Sequence, residues 1–138
     1  MKTVATKAAF LRLYYQGASW SDVGDAQGSD VIYVSAHTSD PGPSGKQTTH
    51  EANFGGYARV AISRSPSGWK IQNETCMNAA PLQFAECLSG NNTITHIATG
   101  KLASGPGDIA HVIELESPRS ITLGAALLFG IGAIQIIE

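Results

Sequence analysis

Along residues 4–16 the apolar positions Val4, Ala8, Leu11 and Tyr15 recur at helical spacing and form one stripe. Lys7 and Arg12 fall on the polar side, and Gly17 is placed to close the helix in a left-handed conformation. Residues 17–30 are a polar, Gly-containing connection, after which the period changes to two. Ile32, Val34 and Ala36 share one face of Val31–Thr38, while Tyr33, Ser35 and His37 share the other. After a long loop, Ser39–Gly56, the alternation returns in Tyr57–Ser63, with Ala58, Val60 and Ile62 expected inward and Tyr57, Arg59 and Ser63 outward. Trp69-Lys70-Ile71 opens a further strand with its two apolar residues on one side. Leu82 with Phe84, Thr93–Thr99, Ile109–Glu116, Ser120–Leu123 and Leu127–Ile137 complete the set.

The pattern predicts about eight short strands after one helix: an all-β fold, a β-sandwich or jelly roll with an N-terminal helix. No composition shift or repeat divides the chain, so residues 1–138 read as a single domain, with the helix at 4–16 and the sandwich at 31–137. A chain of this length buries roughly 70% of its unfolded surface and needs no metal or disulfide staple. Cys76 and Cys87 are expected as free thiols, a bridge between neighbouring strands being the alternative. The loop Ser39–Gly56 is rich in Gly, Pro and Ser and is expected to be weakly anchored, open to cleavage near Lys46.

Charge narrows the partners. Nine Lys+Arg against eleven Asp+Glu give a net charge of −2, and only 14% of residues are charged. That balance argues against nucleic acid and gives no reason to expect an anionic membrane. The N-terminal apolar run is broken by Arg12 and Gln16 and does not read as a signal peptide. Ile121–Ile137 carries no charge, but Gly124, Gly130, Gly132 and Gln135 interrupt it, which favours strands over a membrane span. So little charge on a small domain points to contact with other protein.

Candidate chemistry is sparse. His50-Glu51 would open a zinc-binding HExxH, but position 54 is Phe54. His96 and His111 lie between apolar neighbours, as core or interface histidines do. Asp22, Asp25 and Asp30 share one loop without the spacing of a calcium-binding hand. No nucleophile elbow, phosphate loop or dinucleotide fingerprint is present. Asn73-Glu-Thr75 and Asn91-Asn-Thr93 match a glycosylation pattern short enough to arise by chance. The expectation is no catalysis, no metal and no cofactor. Candidate interface residues are Tyr57, Arg59 and Trp69, types enriched where proteins meet, with Ile134 and Ile136 on the Gly- and Ile-rich final strand. Tyr57 and Trp69 capping the edge of the sandwich is the competing explanation.

Three segments in order carry a resemblance: Tyr33–Gly42 with His37-Thr38 and Asp40-Pro41-Gly42, Gly56–Ile62 with Gly56-Tyr57-Ala58-Arg59-Val60, and Thr93–Ile97. With Pro118–Ala126 closing the pattern, the chain resembles a family of small tailed-bacteriophage virion proteins over roughly residues 8 to 137. Ala36 stands where the family commonly has Leu, and the last strand is richer in Gly. The resemblance implies a β-sandwich virion component made in the bacterial cytoplasm and incorporated into the virion. Members usually carry a tail-fibre label. The leading expectation is a capsid decoration (cement) protein on the capsid exterior, homodimeric and bound to the major capsid protein through apolar or strand-edge contacts. A tail-fibre, tail-associated adaptor or receptor-binding component is the alternative.

Overall fold

The structure, a computed structural model, describes residues 3–20 and 30–138. It begins with helix α1 (Val4–Leu11), which widens into a π-helical turn over Arg12–Gln16. Thr3 caps the start, its side chain accepting from the Thr6 N–H at 3.3 Å. Gly17 ends the turn at φ 64°, the left-handed conformation expected of it. Of the predicted stripe, Ala8, Leu11 and Tyr15 are buried, whereas Val4 is half exposed.

Nine strands follow among the described residues: β1 (Val31–His37), β2 (Val60–Ser63), β3 (Trp69–Gln72), β4 (Thr75–Asn78), β5 (Leu82–Gln83), β6 (Asn92–Gly100), β7 (Ile109–Ile121), β8 (Leu128–Phe129) and β9 (Gln135–Ile137). They form three antiparallel sheets, ordered β2-β1-β6-β7, β3-β4-β9 and β5-β8. The fold is therefore all-β with one N-terminal helix, consistent with a β-sandwich. The chain forms two compact units, residues 1–32, 62–82 and 129–138 in one and residues 33–61 and 83–128 in the other. Neither is a continuous stretch, which is why no composition shift marks the division.

In the first unit Trp69, fully buried, packs edge-on against Tyr15 with ring centroids 4.8 Å apart. Arg64 donates to the carbonyls of Tyr14 and Leu13, both at 2.6 Å, and so satisfies the open end of the helix. β3 and β4 form a tight hairpin around Asn73, which takes φ 55°. β4 is absent from the sequence expectation. The expected strand Leu127–Ile137 is two strands, β8 and β9, separated by a turn that uses Gly130 and Gly132.

In the second unit Ile94, Ile97 and Ala98 on β6 are fully buried. β1 pairs with β6 from Tyr33↔Gly100 to His37↔His96. Ile32, Val34 and Ala36 are buried as expected, but so are Ser35 and His37 on the opposite side. β7 unites two expected strands. Its register slips where Ile94↔Arg119 gives way to His96↔Glu114, so the extra residues, Pro118 among them, bulge at a sheet edge that tolerates proline.

Candidate functional site

The polar centre of the second unit is built from the residues that carry the family-like motifs. Glu51 and Arg59 form a side-on pair: Arg59 Nε donates to Glu51 Oε2 at 2.7 Å and an Arg59 terminal nitrogen donates to Oε1 at 3.0 Å. Arg59 also donates to the carbonyls of Leu102 at 2.9 Å and Gly105 at 2.8 Å. Its side chain is only 3% exposed and that of Glu51 15%. Tyr57 completes the cluster, donating its hydroxyl proton to Glu51 Oε2 at 2.6 Å and accepting from the Ala36 N–H at 3.1 Å. Burial, and then the hydrogen bond to Glu51, raises the Tyr57 pKa far above that of a free phenol. Its ring lies edge-on to Phe54 and parallel to Phe84.

His37 sits beside this pair, with no exposed surface. Its Nδ1 lies 2.7 Å from the Thr49 carbonyl, which can only accept, so Nδ1 carries the proton and Nε2 accepts from Ser35 Oγ at 2.8 Å. Burial disfavours the imidazolium and lowers the His37 pKa, partly offset by the Thr49 carbonyl and Glu51. A serine on a neutral histidine held by a third group resembles an activated nucleophile. Ser35 and His37 are both fully buried, however, and the arrangement ties strand to loop rather than presenting a hydroxyl to solvent.

These contacts pin the loop expected to be weakly anchored. Thr38 N–H donates to the His50 carbonyl at 2.8 Å, and Ala52 N–H donates to that of Ala36 at 2.8 Å. Gln47, fully buried, exchanges hydrogen bonds with the Leu102 backbone. It fits only because Gly100 and Gly107 flank it, since a Cβ on either would fall within 2.4 Å of the Gln47 amide. Lys46 pairs with Asp108 at the rim. Asn92 Oδ1 accepts from the Asn53 and Phe54 N–H groups at 2.8 and 2.9 Å.

The five candidate interface residues do not form one exposed patch. Tyr57 and Arg59 meet, but Arg59 points into its ion pair, and Ala58, expected inward, is exposed. Trp69, Ile134 and Ile136 belong to the other unit and are 0%, 1% and 2% exposed, because β3, β4 and β9 turn them into the core. Exposed apolar side chains lie elsewhere, at Leu88, Leu123, Ile131 and Ile137. Cys76 and Cys87 are free and buried. Among the described residues no group of three or more His, Cys, Asp or Glu is placed to hold a metal ion, and no helix is long and apolar enough to cross a membrane. Asp22 and Asp25 of the sequence-predicted acidic loop lie outside the described residues, and Asp30 is exposed.

No curated protein matches the chain. The family model described as podophage GP4 fiber I protein gp80 matches residues 18–137, a span that includes every residue of the Glu51–Tyr57–Arg59 cluster. The chain therefore belongs to the podophage GP4 fiber I protein gp80 family of phage virion proteins.

Proposed function

We propose that the protein is a non-enzymatic structural part of a podophage fibre or of its attachment to the tail, acting without metal or cofactor and binding protein rather than nucleic acid or membrane. The match of residues 18–137 to a fiber-protein family carries this reading, and it moves the weight from the capsid-cement expectation to its tail-fibre alternative. The buried cluster fits a load-bearing role. Arg59, Glu51, Tyr57 and Gln47 lock two long loops onto a sheet, which keeps an attachment surface rigid before it binds and lowers the ordering cost of docking.

The cement reading has a different physical consequence, since a clamp between capsomers must be present on every face of the shell. Gel densitometry of purified virions, with gold labelling in the electron microscope, separates the two. The expected result is about six to eighteen copies, labelled at the tail, as the few-fold symmetry of a tail machine implies. Particles lacking the protein should keep their DNA on mild heating but lose adsorption to cells. Hundreds of copies over the capsid exterior would overturn the fibre reading in favour of a decoration protein bound to the major capsid protein.

A further inference from the structure

We propose that residues 48–50 form an acid-released strap, which lies over His37 and lifts from β1 when that histidine takes up a proton. The strap is short and fixed at both ends. Before it, Gln47 is fully buried and bonded to the Leu102 backbone. After it, Glu51 is ion-paired with Arg59, and the Ala52 N–H donates to the Ala36 carbonyl. Between these anchors Thr48 and His50 are exposed and Thr49 is half-buried, so no apolar side chain must leave the core when the strap moves. His50 takes φ 55°, a left-handed conformation that disfavours any residue with a Cβ. Such strain persists only where neighbouring contacts hold it. Here those contacts are the Thr38 N–H and hydroxyl, which donate to the His50 carbonyl, and His37 Nδ1, which donates to that of Thr49.

The closed arrangement has no place for that proton. Nδ1 already carries one, so a second must go to Nε2, which accepts from Ser35 Oγ. The serine would then have to turn its hydroxyl toward the Ala98 carbonyl, 3.5 Å away and at the limit of hydrogen bonding. The surrounding charges do not compensate. Glu51 favours the imidazolium, but it is shared with Arg59 and the Tyr57 hydroxyl. Arg59, and His96 facing His37 from β6, oppose a further positive charge, and Glu114 of β7 lies beyond His96. His50 is exposed on the strap itself, and Lys46 is paired with Asp108 at the rim. With the strap lifted, His37 meets water and regains the proton affinity of a free imidazole. Acid therefore favours the open form by linkage, while the two anchors keep the rest of the loop in place. The strap concerns the isolated chain and does not depend on where in the virion the protein resides.

Amide hydrogen exchange of the full chain, followed by NMR and referred to the unstructured rate at each pH, tests it. The Thr38 N–H should be less protected than the Ala52 N–H and the β1–β6 ladder throughout. Its protection should fall about fivefold to tenfold from about pH 7.5 to about pH 5.5. That factor follows when His37 titrates at about 6.5 in the open form and below that in the closed one. His96→Gln should keep the fall, and His37→Asn should abolish it. Should His37→Asn fail to fold, the parent's own imidazole decides: its ring resonances should show the Nδ1–H tautomer, titrating below the ordinary 6.5. The proposal is overturned by a Thr38 N–H protected as well as that of Ala52, or by protection that acid leaves unchanged. A fall that persists in His37→Asn or vanishes in His96→Gln, or a His37 ring titrating at or above 6.5, overturns it equally.

Discussion

Arg59 illustrates how a single residue can be visible in a sequence and its role hidden. Alternation over Tyr57–Ser63 places it on the outer face and Val60 on the inner one, with Val60→Asp the damaging change and Arg59→Ala the mild one. The strand begins only at Val60, however, and Val60 is half-buried while Arg59 turns back onto Glu51. Removing the guanidinium strands a mostly buried carboxylate and two carbonyls, so Arg59→Ala should cost about 3–5 kcal/mol. Val60→Asp, at a half-exposed site, should cost about 1–2 kcal/mol. Urea denaturation of both variants checks the order; the reverse ranking would mean the pair is solvated. Nothing in the sequence distinguishes a buried Glu–Arg pair from two surface charges, because the contact arises from the path of the loop between them. His37 yields a second prediction. Its folded pKa lies below the ordinary 6.5, so beneath about pH 6.5 the unfolded chain binds a proton that the fold refuses. Its contribution to stability is complete above that pH and is lost as pH falls toward the folded value. Melting between pH 7.5 and 5 should show this loss, and His37→Asn, which keeps a donor for Thr49, should flatten the slope. Glu51, Arg59 and His96 also act on His37, so the comparison is with the parent rather than with zero.

At the scale of elements, what repeats along the chain was legible and what depends on one residue's geometry was less so. The helix stripe and its closing Gly17 follow from spacing, as does the inward set on β1. β4 did not, because Thr75–Asn78 lacks β-branched alternation and its only local signal is Asn73 at the turn. The loop from Ser39 to Gly56 is the sharpest case. Its turn-rich composition reads as weak anchoring, but Ala52 and Phe54 are buried in it and Gln47 fills a slot that two distant glycines leave open. Lys46 should therefore resist trypsin in the free protein, since its N–H donates to Thr49 Oγ1 and the next residue is buried. Peptide mapping after limited digestion checks this. Arg59→Ala, which also frees the carbonyls of Leu102 and Gly105, should open the site, and rapid cleavage at Lys46 in the parent would contradict the pinning.

For the molecule as a whole, the informative feature is where the chain passes between its two units. Each of the four passages falls inside a strand. β1 divides after Ile32, β2 after Ala61, β5 after Leu82 and β8 after Leu128. A flexible linker would let one unit melt while the other stays folded, whereas a passage made within a strand leaves no such linker, so the two are expected to melt together. The two cysteines make this measurable, since Cys76 belongs to one unit and Cys87 to the other, and both are buried. Burial alone pushes the Cys76 thiol up to about 12, so at neutral pH it is protonated as well as inaccessible, and reaction with a thiol reagent requires opening. In native buffer neither thiol should be modified over hours. Across a urea series both should become reactive at the same midpoint, read separately in Cys76→Ser and Cys87→Ser variants once their small differences in stability are allowed for. If Cys76 labels at a clearly lower urea concentration than Cys87, passage within a strand does not suffice to couple the melting, and each unit melts alone.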